Sequence, residues 1–545
     1  MSEDIHSSGS EGAGGGQTVA DVIIAELVRW GVGVVFGIPG TSSLGVIDAV
    51  RKHPEIRFFQ VRHEETAAMA ASAYHKLTGR VAACVTIAGP GATNLATGLY
   101  DAKEDRASVI SLNGQVEAQY AGPGGFQEID QDAFFRPVTV YNNTLHEKTM
   151  AVRLVDAAMR HAIVHRGVAQ LSIPNDVQKE VVDPACCAAE GMPPSREIAP
   201  SNAGIDRAAE AVNRAERPVI IAGWGARDAI PAVRAIGERI AAPILTTFRA
   251  KGLIPGDDPW HLGILGSVGS AQARRRAEEA DLLLAFGVGF SKQTNVPGGK
   301  PLVQVDLDPI KLGRHAETVS LWGDCGLVLP RLLERLERRE DGARKEAVAR
   351  DRAAWRAQID READADAVPI RPPFIMQVLS KILPDDAVIT VDVGENGWWF
   401  GRNFRMRPGQ KFAMSGYLAT MGFAMPAAIA AKIAYPDRPA VCITGDGGFS
   451  MAMAEFLTAV KYDLPMTVVV LNNHELGMIR VEQRVENYPN FGTELHNPDF
   501  AAYARACGGE GFSVERPAEL APAIVNALES GRPAIVDVET DPKRF

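Results

Sequence analysis

Two short polar motifs in the last third of the chain have the residue types that bind a metal ion. Asp446 lies between Gly445 and Gly447 after one apolar run, and Asn473 follows the next apolar run. The Gly-Asp-Gly triplet and the Asn-Asn pair are separated by 24 residues, enough for one helix and one strand. A carboxylate and an amide oxygen, with a backbone carbonyl near Glu475, are hard ligands that suit Mg²⁺.

The glycines around Asp446 indicate what else this site binds. Gly445, Gly447 and Gly448 leave room for a phosphate group to approach the backbone. A helix predicted to start near Ser450 points its N-terminal amides at that phosphate. Each motif taken separately has a simpler interpretation, because Asp, Asn and Gly are the usual residues of turns. Taken together, the two motifs predict a metal and phosphate site.

Asp446 and Asn473 come together only if the strands that precede them are neighbours. In parallel α/β sheets, ligands bind beyond the carboxyl ends of the strands. Strand-like apolar runs that end in glycine alternate with helical patterns through most of the chain, as in VVFGIPG, RVAACVTIAGPG, PVIIAGWG and DLLLAFGVG. This alternation predicts an α/β fold made of doubly wound parallel-sheet domains.

Breaks in the alternation divide the 545 residues into three predicted domains, the number that this length suggests. The predicted boundaries are a disordered tail at 1–16, domains at 17–185, 204–336 and 370–545, and linkers at 186–203 and 337–369. The tail is acidic and rich in Gly and Ser, and the first linker contains proline. The second linker is dense in charge and is predicted to include a solvated helix.

The first and third domains repeat one sequence pattern. An alanine-rich helix, a strand and a Gly-x-Gly turn succeed one another in AAMAASAYHKLTGRVAACVTIAGPG and again in FAMPAAIAAKIAYPDRPAVCITGDGG. A strand that ends in asparagine follows each, in VISLNG and in TVVVLNN. Convergent α/β units produce similar echoes. The repeat nevertheless predicts that the two domains share a topology and pack face to face.

The composition excludes several classes of protein. A net charge of −10 argues against general binding of nucleic acids or anionic membranes, which requires a basic face. No run of about 18 apolar residues occurs, so no integral membrane segment is predicted. The six cysteines are few for this length and include no C-x-x-C pair. They indicate reduced thiols in a cytoplasmic protein.

The Gly-Asp-Gly and Asn-Asn pattern resembles the thiamine diphosphate (ThDP) signature of the pyruvate oxidase, acetolactate synthase and pyruvate decarboxylase superfamily. The resemblance extends from about Gln17 to Asp541. It implies three domains of the ThDP-binding fold: a pyrimidine-binding domain, a central FAD- or nucleotide-binding-like domain and a diphosphate-binding domain. It also implies that Asp446, Asn473 and Glu475 hold Mg²⁺ beside the diphosphate.

Other stretches that resemble the superfamily supply candidate catalytic residues. QVRHEETAAMAASAYHKLTG resembles the segment whose glutamate bonds N1′ of the ThDP aminopyrimidine and activates the cofactor. The register gives this role to Glu64, with Glu65 as runner-up; otherwise both are favourable charges at a helix N-terminus. GPGATN and GGFQEID imply that Phe126 and Gln127 lie near the reacting carbon. SGYLATMGFAMP implies that Met421 is the wedge that bends ThDP, although methionine is more commonly a core residue.

The central domain and one later helix bear on the type of reaction. AGWGARDA, FGVGF and VQVDLDPIKLGRHAETVSLWGD resemble the FAD-binding turns of pyruvate oxidases, and superfamily members that have lost FAD often retain such turns. The resemblance implies that Gly223 and Gly225 contact the pyrophosphate and that Asp306 or Asp324 bonds the ribose or adenine. In LGMIRVEQR, Glu482 stands where acetolactate synthases have a tryptophan and pyruvate oxidases a glutamate; its alternative is an exposed helix charge.

The resemblance thus implies oxidative decarboxylation of pyruvate or a related 2-oxo acid, with ThDP, Mg²⁺ and FAD as cofactors and oxygen or a quinone as electron acceptor. The alternative is a non-oxidative acetolactate synthase-like carboligase, or a 2-oxo acid decarboxylase, in which FAD is absent or structural. A catalytically dead homologue is disfavoured because Glu64, Asp446 and Asn473 are all present. In the superfamily the first domain meets the third domain of a second subunit, which implies at least a homodimer and commonly a homotetramer.

Overall fold

A computed structural model describes residues 16–183, 197–315 and 318–542. Within these ranges the chain forms two compact units. The first unit contains residues 16–183 except Lys76–Thr78, and the second contains Lys76–Thr78 and the described residues from 197 onward. Nearly all of the predicted tail at 1–16 and most of the predicted linker at 186–203 lie outside the described residues.

The first unit is built on a parallel sheet of six strands in the order β3-β2-β4-β5-β7-β6. The strands are β1 (Gln17–Thr18), β2 (Val34–Gly37), β3 (Arg57–Gln60), β4 (Ala82–Thr86), β5 (Val109–Gln115), β6 (Thr139–Thr144), β7 (Val168–Pro174) and β8 (Val181–Val182). The helices are α1 (Val19–Arg29), α2 (Leu44–Lys52), α3 (Glu64–Thr78), α4 (Pro90–Asn94), α5 (Ala96–Glu104), α6 (Gln131–Phe135) and α7 (Ala151–His165). Outside the sheet, β1 pairs antiparallel with β8.

The second unit contains two further parallel sheets, of which the central one has the order β11-β10-β9-β12-β13-β14. Its strands are β9 (Pro218–Ala222), β10 (Ile244–Thr246), β11 (His261–Ile264), β12 (Leu282–Phe286), β13 (Leu302–Asp306) and β14 (Thr318–Trp322). The helices in this part of the chain are α8 (Asn202–Arg214), α9 (Ile230–Arg239), α10 (Ala271–Glu279), α11 (Cys325–Leu333) and α12 (Gly342–Glu362).

The third sheet has the order β16-β15-β17-β18-β20-β19, again with every pair parallel. Its strands are β15 (Val388–Val391), β16 (Lys411–Met414), β17 (Ala440–Gly445), β18 (Met466–Asn472), β19 (Glu510–Val514) and β20 (Ala534–Glu539). The helices are α13 (Pro372–Ile382), α14 (Glu395–Asn403), α15 (Ala424–Ala434), α16 (Asp446–Ala452), α17 (Phe456–Lys461), α18 (Gly477–Val485), α19 (Phe500–Ala506) and α20 (Pro517–Glu529).

The strand orders test the repeat found in the sequence. Counted along the chain within each sheet, the first and third sheets both have the order second, first, third, fourth, sixth, fifth. The predicted shared topology is therefore confirmed. The central sheet has the order third, second, first, fourth, fifth, sixth, which is the order of dinucleotide-binding sheets. All three sheets are doubly wound and parallel, as the sequence predicts.

Continuous apolar runs form these strands because helices cover both faces of each sheet. Every residue of β9 and of β18 is buried. Three separate hydrophobic clusters surround the three sheets. Cys84 and Cys442 are free and buried inside strands, as their apolar neighbours suggest; Cys186 and Cys187 lie outside the described residues.

The charge-dense stretch of the second predicted linker forms the long helix α12. Asp351 pairs with Arg275 and Arg276 of α10, at 2.6 and 2.7 Å. Near the other end of the helix, Glu362 pairs with Arg402 of α14 at 2.5 Å. The helix therefore ties the central and third sheets together within the second unit. In the described parts of the chain, no helix combines the length and apolar character needed to cross a membrane.

Candidate functional site

The two polar motifs lie at one edge of the third sheet. Strands β17 and β18 are hydrogen-bonded neighbours, and Gly445 at the end of β17 lies opposite Leu471 of β18. Asp446 and Asn473 therefore follow adjacent strands at the same carboxyl edge. The adjacency that one crossover unit predicts for these strands is confirmed.

Helix α16 begins earlier than the sequence suggested. It starts at Asp446 with Gly445 as its N-cap, so the predicted start near Ser450 is wrong by four residues. Glycine is a poor helix former, and the two glycines after Asp446 argued for a loop. Buried contacts of Phe449 and Ala452 override that preference. Gly447 and Gly448 consequently lie in the first helical turn.

Asp446 is a buried carboxylate that bonds Asn497, a residue not identified from the sequence. Its side chain is 2% exposed, and its Oδ2 accepts a hydrogen bond from Asn497 Nδ2 at 2.7 Å. The same Asn497 amide donates to Oδ1 of Asn472 at 2.9 Å. Burial raises the pKa of Asp446, and the Asn497 bond opposes that rise. A bound cation would offset the cost of keeping this carboxylate charged away from water.

Asn473 is held on both sides of its amide group. Its Oδ1 accepts a hydrogen bond from the Glu475 backbone N–H at 3.2 Å, and its Nδ2 donates to Oε2 of Glu395 at 3.4 Å. The Glu475 side chain turns away to pair with Arg480 at 2.8 Å. Glu475 therefore contributes its backbone to this loop, and its carboxylate anchors the start of α18.

Side chains from other segments occupy the space next to Gly447 and Gly448. A Cβ on Gly447 would lie 3.1 to 3.2 Å from Leu476, Leu495 and the Cε of Met421. A Cβ on Gly448 would lie 2.9 Å from Oδ2 of Asp392. Met421 thus lies against the first turn of α16.

The donor set at this edge fits a magnesium ion bound together with a diphosphate. Asp446 would supply a carboxylate, Asn473 an amide oxygen and Glu475 a backbone carbonyl, all of them the hard oxygen ligands that Mg²⁺ prefers. In the described residues, no group of three His, Cys, Asp or Glu side chains forms a metal cluster. A single carboxylate with two neutral oxygens leaves coordination positions for phosphate oxygens and water.

In the first unit, Glu64 lies at the carboxyl edge of the first sheet. It is the first residue of α3, is 9% exposed and accepts a hydrogen bond on Oε2 from Asn94 Nδ2 at 3.0 Å. A Cβ on Gly91 would lie 2.3 Å from Oγ1 of Thr86 and 3.3 Å from Oε1 of Glu64. The GPGATN motif therefore packs directly on this carboxylate and holds it with its last residue.

The runner-up, Glu65, has a different environment. Its side chain is 29% exposed and lies 3.9 Å from Nδ1 of His63. Partial burial raises its pKa, and His63 opposes the rise. The choice of Glu64 over Glu65 stays a prediction, which the burial of Glu64 and its Asn94 contact support.

Phe126 and Gln127 lie in a loop that a carboxylate organises. Gln127 has φ of 63°, a strained value for a non-glycine residue, and its backbone packs against Gly89 of the GPGATN motif. Phe126 is 89% exposed. Glu128 accepts hydrogen bonds from the backbone N–H groups of Gly122, Gly124 and Gly125, which lower its pKa. Sequence reasoning missed Glu128, although it is part of the GGFQEID motif.

Glu482 lies on the exposed side of α18. The helix starts at Gly477, four residues after Asn473, and Arg480 fixes its first turn through the ion pair with Glu475. Glu482 is therefore on the helix that follows the Asn473 connection, and no side-chain contact described above joins it to the candidate metal ligands.

Gly223 and Gly225, the glycines predicted to bind FAD, pack against the backbone that follows β12. The N–H of Gly223 donates to the Phe286 carbonyl at 2.9 Å, and the N–H of Gly225 donates to the Gly287 carbonyl at 3.1 Å. A Cβ on Gly223 or Gly225 would lie 2.1 or 2.7 Å from backbone atoms of Gly287. The close approach of the loops after β9 and β12 is therefore sufficient reason for both glycines.

Asp306 and Asp324 lie near the carboxyl ends of β13 and β14. Oδ1 of Asp306 accepts a hydrogen bond from the Asp308 N–H at 2.9 Å. Asp324 caps α11 by accepting from the Gly326 N–H at 2.7 Å. Both carboxylates thus make local backbone bonds, and their predicted bonds to a ribose or adenine stay predictions.

Three domains of one family match the chain. They are described as the thiamine pyrophosphate enzyme N-terminal TPP binding domain over residues 17–134, the central domain over 205–332 and the C-terminal TPP binding domain over 392–538. The N-terminal match contains Glu64, and the C-terminal match contains Asp392, Asp446 and Asn473. Thiamine pyrophosphate is the same compound as ThDP.

Full-length relatives agree with this match. The putative thiamine pyrophosphate-containing protein YdaP of Bacillus subtilis (strain 168) is 40% identical, over 96% of this chain and 91% of its own length. Pyruvate oxidase of Lactiplantibacillus plantarum is 32% identical, over 94% of this chain and 87% of its own length. The acetolactate synthase isozyme 2 large subunit of Escherichia coli (strain K12) is also 32% identical, over 96% of this chain and 95% of its own length. The chain therefore belongs to the thiamine pyrophosphate enzymes and is a ThDP-dependent enzyme.

Proposed function

We propose that the enzyme oxidatively decarboxylates pyruvate or a related 2-oxo acid and passes the electrons through FAD to oxygen or a quinone. In this reaction pyruvate, water and the oxidised acceptor give acetate, carbon dioxide and the reduced acceptor. Two-electron oxidation of the substrate requires a redox group that ThDP itself does not supply.

The observation that carries the redox part is the strand order of the central sheet. Its first and fourth strands, β9 and β12, are neighbours at the point where the order reverses. Dinucleotides bind in the crevice at such a switch point. The loops after these strands approach closely at Gly223, Gly225 and Gly287, where an added Cβ would lie 2.1 to 2.7 Å from backbone atoms of the facing loop.

The proposed roles divide between the first and third sheets. Asp446, Asn473 and the Glu475 carbonyl hold Mg²⁺ and, through it, the diphosphate. Glu64 holds a proton at N1′ of the aminopyrimidine, with Asn94 fixing the carboxylate. Bound ThDP supplies a nucleophilic carbon and an electron sink for loss of carbon dioxide from the 2-oxo acid.

Three further residues act around the reacting groups. Met421, which lies against Gly447, supports the bent shape of the cofactor. Gln127 orients the substrate from a backbone fixed by its packing on Gly89. Glu482 handles proton movement on the substrate-derived carbon.

A visible spectrum of the purified enzyme, before and after anaerobic addition of pyruvate, tests the redox proposal. Flavin absorption that bleaches with pyruvate, together with acetate as product, is the expected result. A colourless enzyme, or a flavin that stays oxidised while pyruvate is consumed, contradicts it.

The second candidate is a non-oxidative carboligase or decarboxylase, with FAD absent or structural. The Escherichia coli acetolactate synthase subunit, at the same 32% identity as the pyruvate oxidase, favours this candidate. Product analysis with pyruvate alone separates the two reactions. Acetolactate or acetaldehyde, formed without any acceptor, identifies the second candidate.

We also propose that the active enzyme is a homodimer or a homotetramer. The two groups of cofactor-binding residues lie in different compact units, Glu64 in the first and Asp446 in the second. A second copy of the chain would complete each site. Light scattering should give a mass of two or four times 58.4 kDa, and a monomer with full activity would reject this assembly.

A further inference from the structure

We infer that Glu395 is a positioning residue for the metal site: its carboxylate fixes the amide of Asn473 in the orientation that presents Oδ1 as a ligand. The inference rests on the proposed Mg²⁺ role of Asn473. Glu395 is the first residue of α14, which follows β15, and it was not identified from the sequence. It reaches the metal site from a segment 78 residues away in the chain.

The contacts of the Asn473 amide define a single orientation. Nδ2 lies 3.4 Å from Oε2 of Glu395, and Oδ1 lies 3.2 Å from the Glu475 N–H. Rotating the amide by 180° would place an oxygen against the carboxylate and two hydrogen-bond donors against each other. Glu395 and the Glu475 N–H therefore select the same orientation.

The packing around Gly477 supports the same contact. A Cβ at this position would lie 2.3 Å from Oε2 of Glu395 and 3.0 Å from Nδ2 of Asn473. The φ of Gly477 is not in the left-handed region, so its backbone conformation suits any residue. The first position of α18 is therefore glycine because the Glu395–Asn473 contact occupies the space of a side chain.

Partners that orient a metal ligand affect metal affinity, because a ligand that is free to rotate must be ordered when the ion binds. Loss of such a partner typically weakens metal binding by about 10–100-fold. Glu395 accepts a hydrogen bond in this role, and its charge is not required. Glutamine can accept the same bond, whereas alanine cannot.

The experiment measures the dissociation constant of Mg²⁺ at saturating ThDP in wild type, E395A, E395Q and G477A. The fluorescence of Trp398 and Trp399, which lie on α14 one turn after Glu395, reports binding. E539A is the matched control: Glu539 is a carboxylate at the end of β20, next to β18, and its contact is with His474 at 3.2 Å. Thermal unfolding of each metal-free protein measures stability separately.

We expect E395A and G477A to raise the Mg²⁺ dissociation constant at least about tenfold, while E395Q and E539A stay within that limit. The metal-free thermal midpoint of G477A should stay near that of wild type, because the added Cβ meets the flexible end of the Glu395 side chain and alanine favours a helix more than glycine does. Wild-type affinity in E395A overturns the inference, and so does E395Q binding as weakly as E395A, which would make the charge the active property. Equal weakening in E539A also overturns it. If wild type itself binds no Mg²⁺ with ThDP, the proposed function fails instead.

Discussion

The first and third sheets have the same strand order but different residues at the same structural positions. After the first strand of each sheet, the N–H of Ile38 donates to the Val85 carbonyl and the N–H of Asp392 donates to the Ile443 carbonyl. These positions are equivalent, yet one has an apolar residue and the other a buried acid. Equal topology therefore determines where a side chain lies and leaves its chemistry open.

The same contrast holds for the strands that carry the proposed cofactor residues. In the third sheet the acid Asp446 directly follows the third strand, and asparagines end the fourth. In the first sheet the third strand ends in Thr86, and the acid Glu64 instead follows the second strand. After the second strand of the third sheet comes the segment that contains Met421.

This exchange of positions has a functional consequence. Asp446, near Asn472 and Asn473, can bind a metal ion. Glu64, whose partner is Asn94, can instead hold a proton at the uncharged aminopyrimidine ring. Anchoring and activation should therefore be separable by mutation: changes in the third sheet should reduce cofactor affinity, and changes in the first should reduce turnover.

The largest effect is expected for E64Q. Glutamine keeps the hydrogen bond from Asn94 but cannot act as the acid, so kcat should fall by about 10²–10⁴-fold, the usual contribution of a positioned acid or base. ThDP and Mg²⁺ affinities, measured by fluorescence titration, should remain near those of wild type. Loss of cofactor binding in E64Q would contradict the proposed separation of cofactor anchoring from activation.

E65Q is the matched control for the first prediction. Glu65 lies one residue further along the same helix, is more exposed and is close to His63. Its substitution should leave kcat near the wild-type value. The opposite result, an inactive E65Q with an active E64Q, would transfer the activating role to Glu65.

The next largest effect is expected for D446N. The Mg²⁺ dissociation constant should rise by about 100-fold or more, since even partners of metal ligands contribute 10–100-fold. Titration of Mg²⁺ at saturating ThDP measures it. The metal-free protein should unfold at the same or a higher temperature, because the substitution removes a charge from a site that is 2% exposed. A large stability loss with unchanged Mg²⁺ affinity would make Asp446 a structural residue.

The sequence predicts the sheets better than the elements around them. Apolar runs bounded by glycine identify the buried strands, and a single crossover explains why β17 and β18 are neighbours. The start of α16 could not be predicted from Gly447 and Gly448, since tertiary packing of Phe449 decides it. The full order of strands also depends on packing that local patterns do not contain.

In the candidate site, too, only the residues linked by a local pattern could be predicted. Asp446 and Asn473 could be found because a fixed spacing joins them, whereas Asn497 is 51 residues beyond Asp446 in a stretch without periodicity. Asp392 and Glu395 follow the first strand of the sheet, and no motif connects this segment to the Gly-Asp-Gly triplet. Partners brought together only by the sheet leave no spacing signal in the chain.

The equivalent pair Ile38 and Asp392 gives a smaller, pH-dependent prediction. Burial raises the pKa of Asp392 to about 6 from the value of 3.8 for an exposed aspartate. Between these two values the folded protein binds more protons than the unfolded chain, so this carboxyl lowers the stability as pH rises from about 4 to about 6. The total change is about 3 kcal/mol, at about 1.4 kcal/mol for each unit of pKa.

D392N isolates this contribution. The side-chain oxygen of the new asparagine can accept hydrogen bonds from the N–H groups of Val393 and Gly422. Its NH₂ group can donate to Oγ1 of Thr444, which in turn donates to the Gly445 carbonyl. Wild type should lose thermal stability relative to D392N between pH 4 and 6, measured without metal. A constant difference across that range would show that Asp392 does not titrate there.

The smallest effect is expected for the loop of the first unit that contains Gln127 and Glu128. Glu128 accepts from the amides of Gly124 and Gly125 at 2.8 and 2.7 Å, and so holds the turn before Gln127. E128A should raise KM for the 2-oxo acid severalfold and leave kcat and Mg²⁺ affinity unchanged. E117A removes a carboxylate from the same loop without touching this turn and should leave KM unchanged. An equal rise of KM in both variants would mean that the charge of the loop matters, and that the bonds which shape it do not.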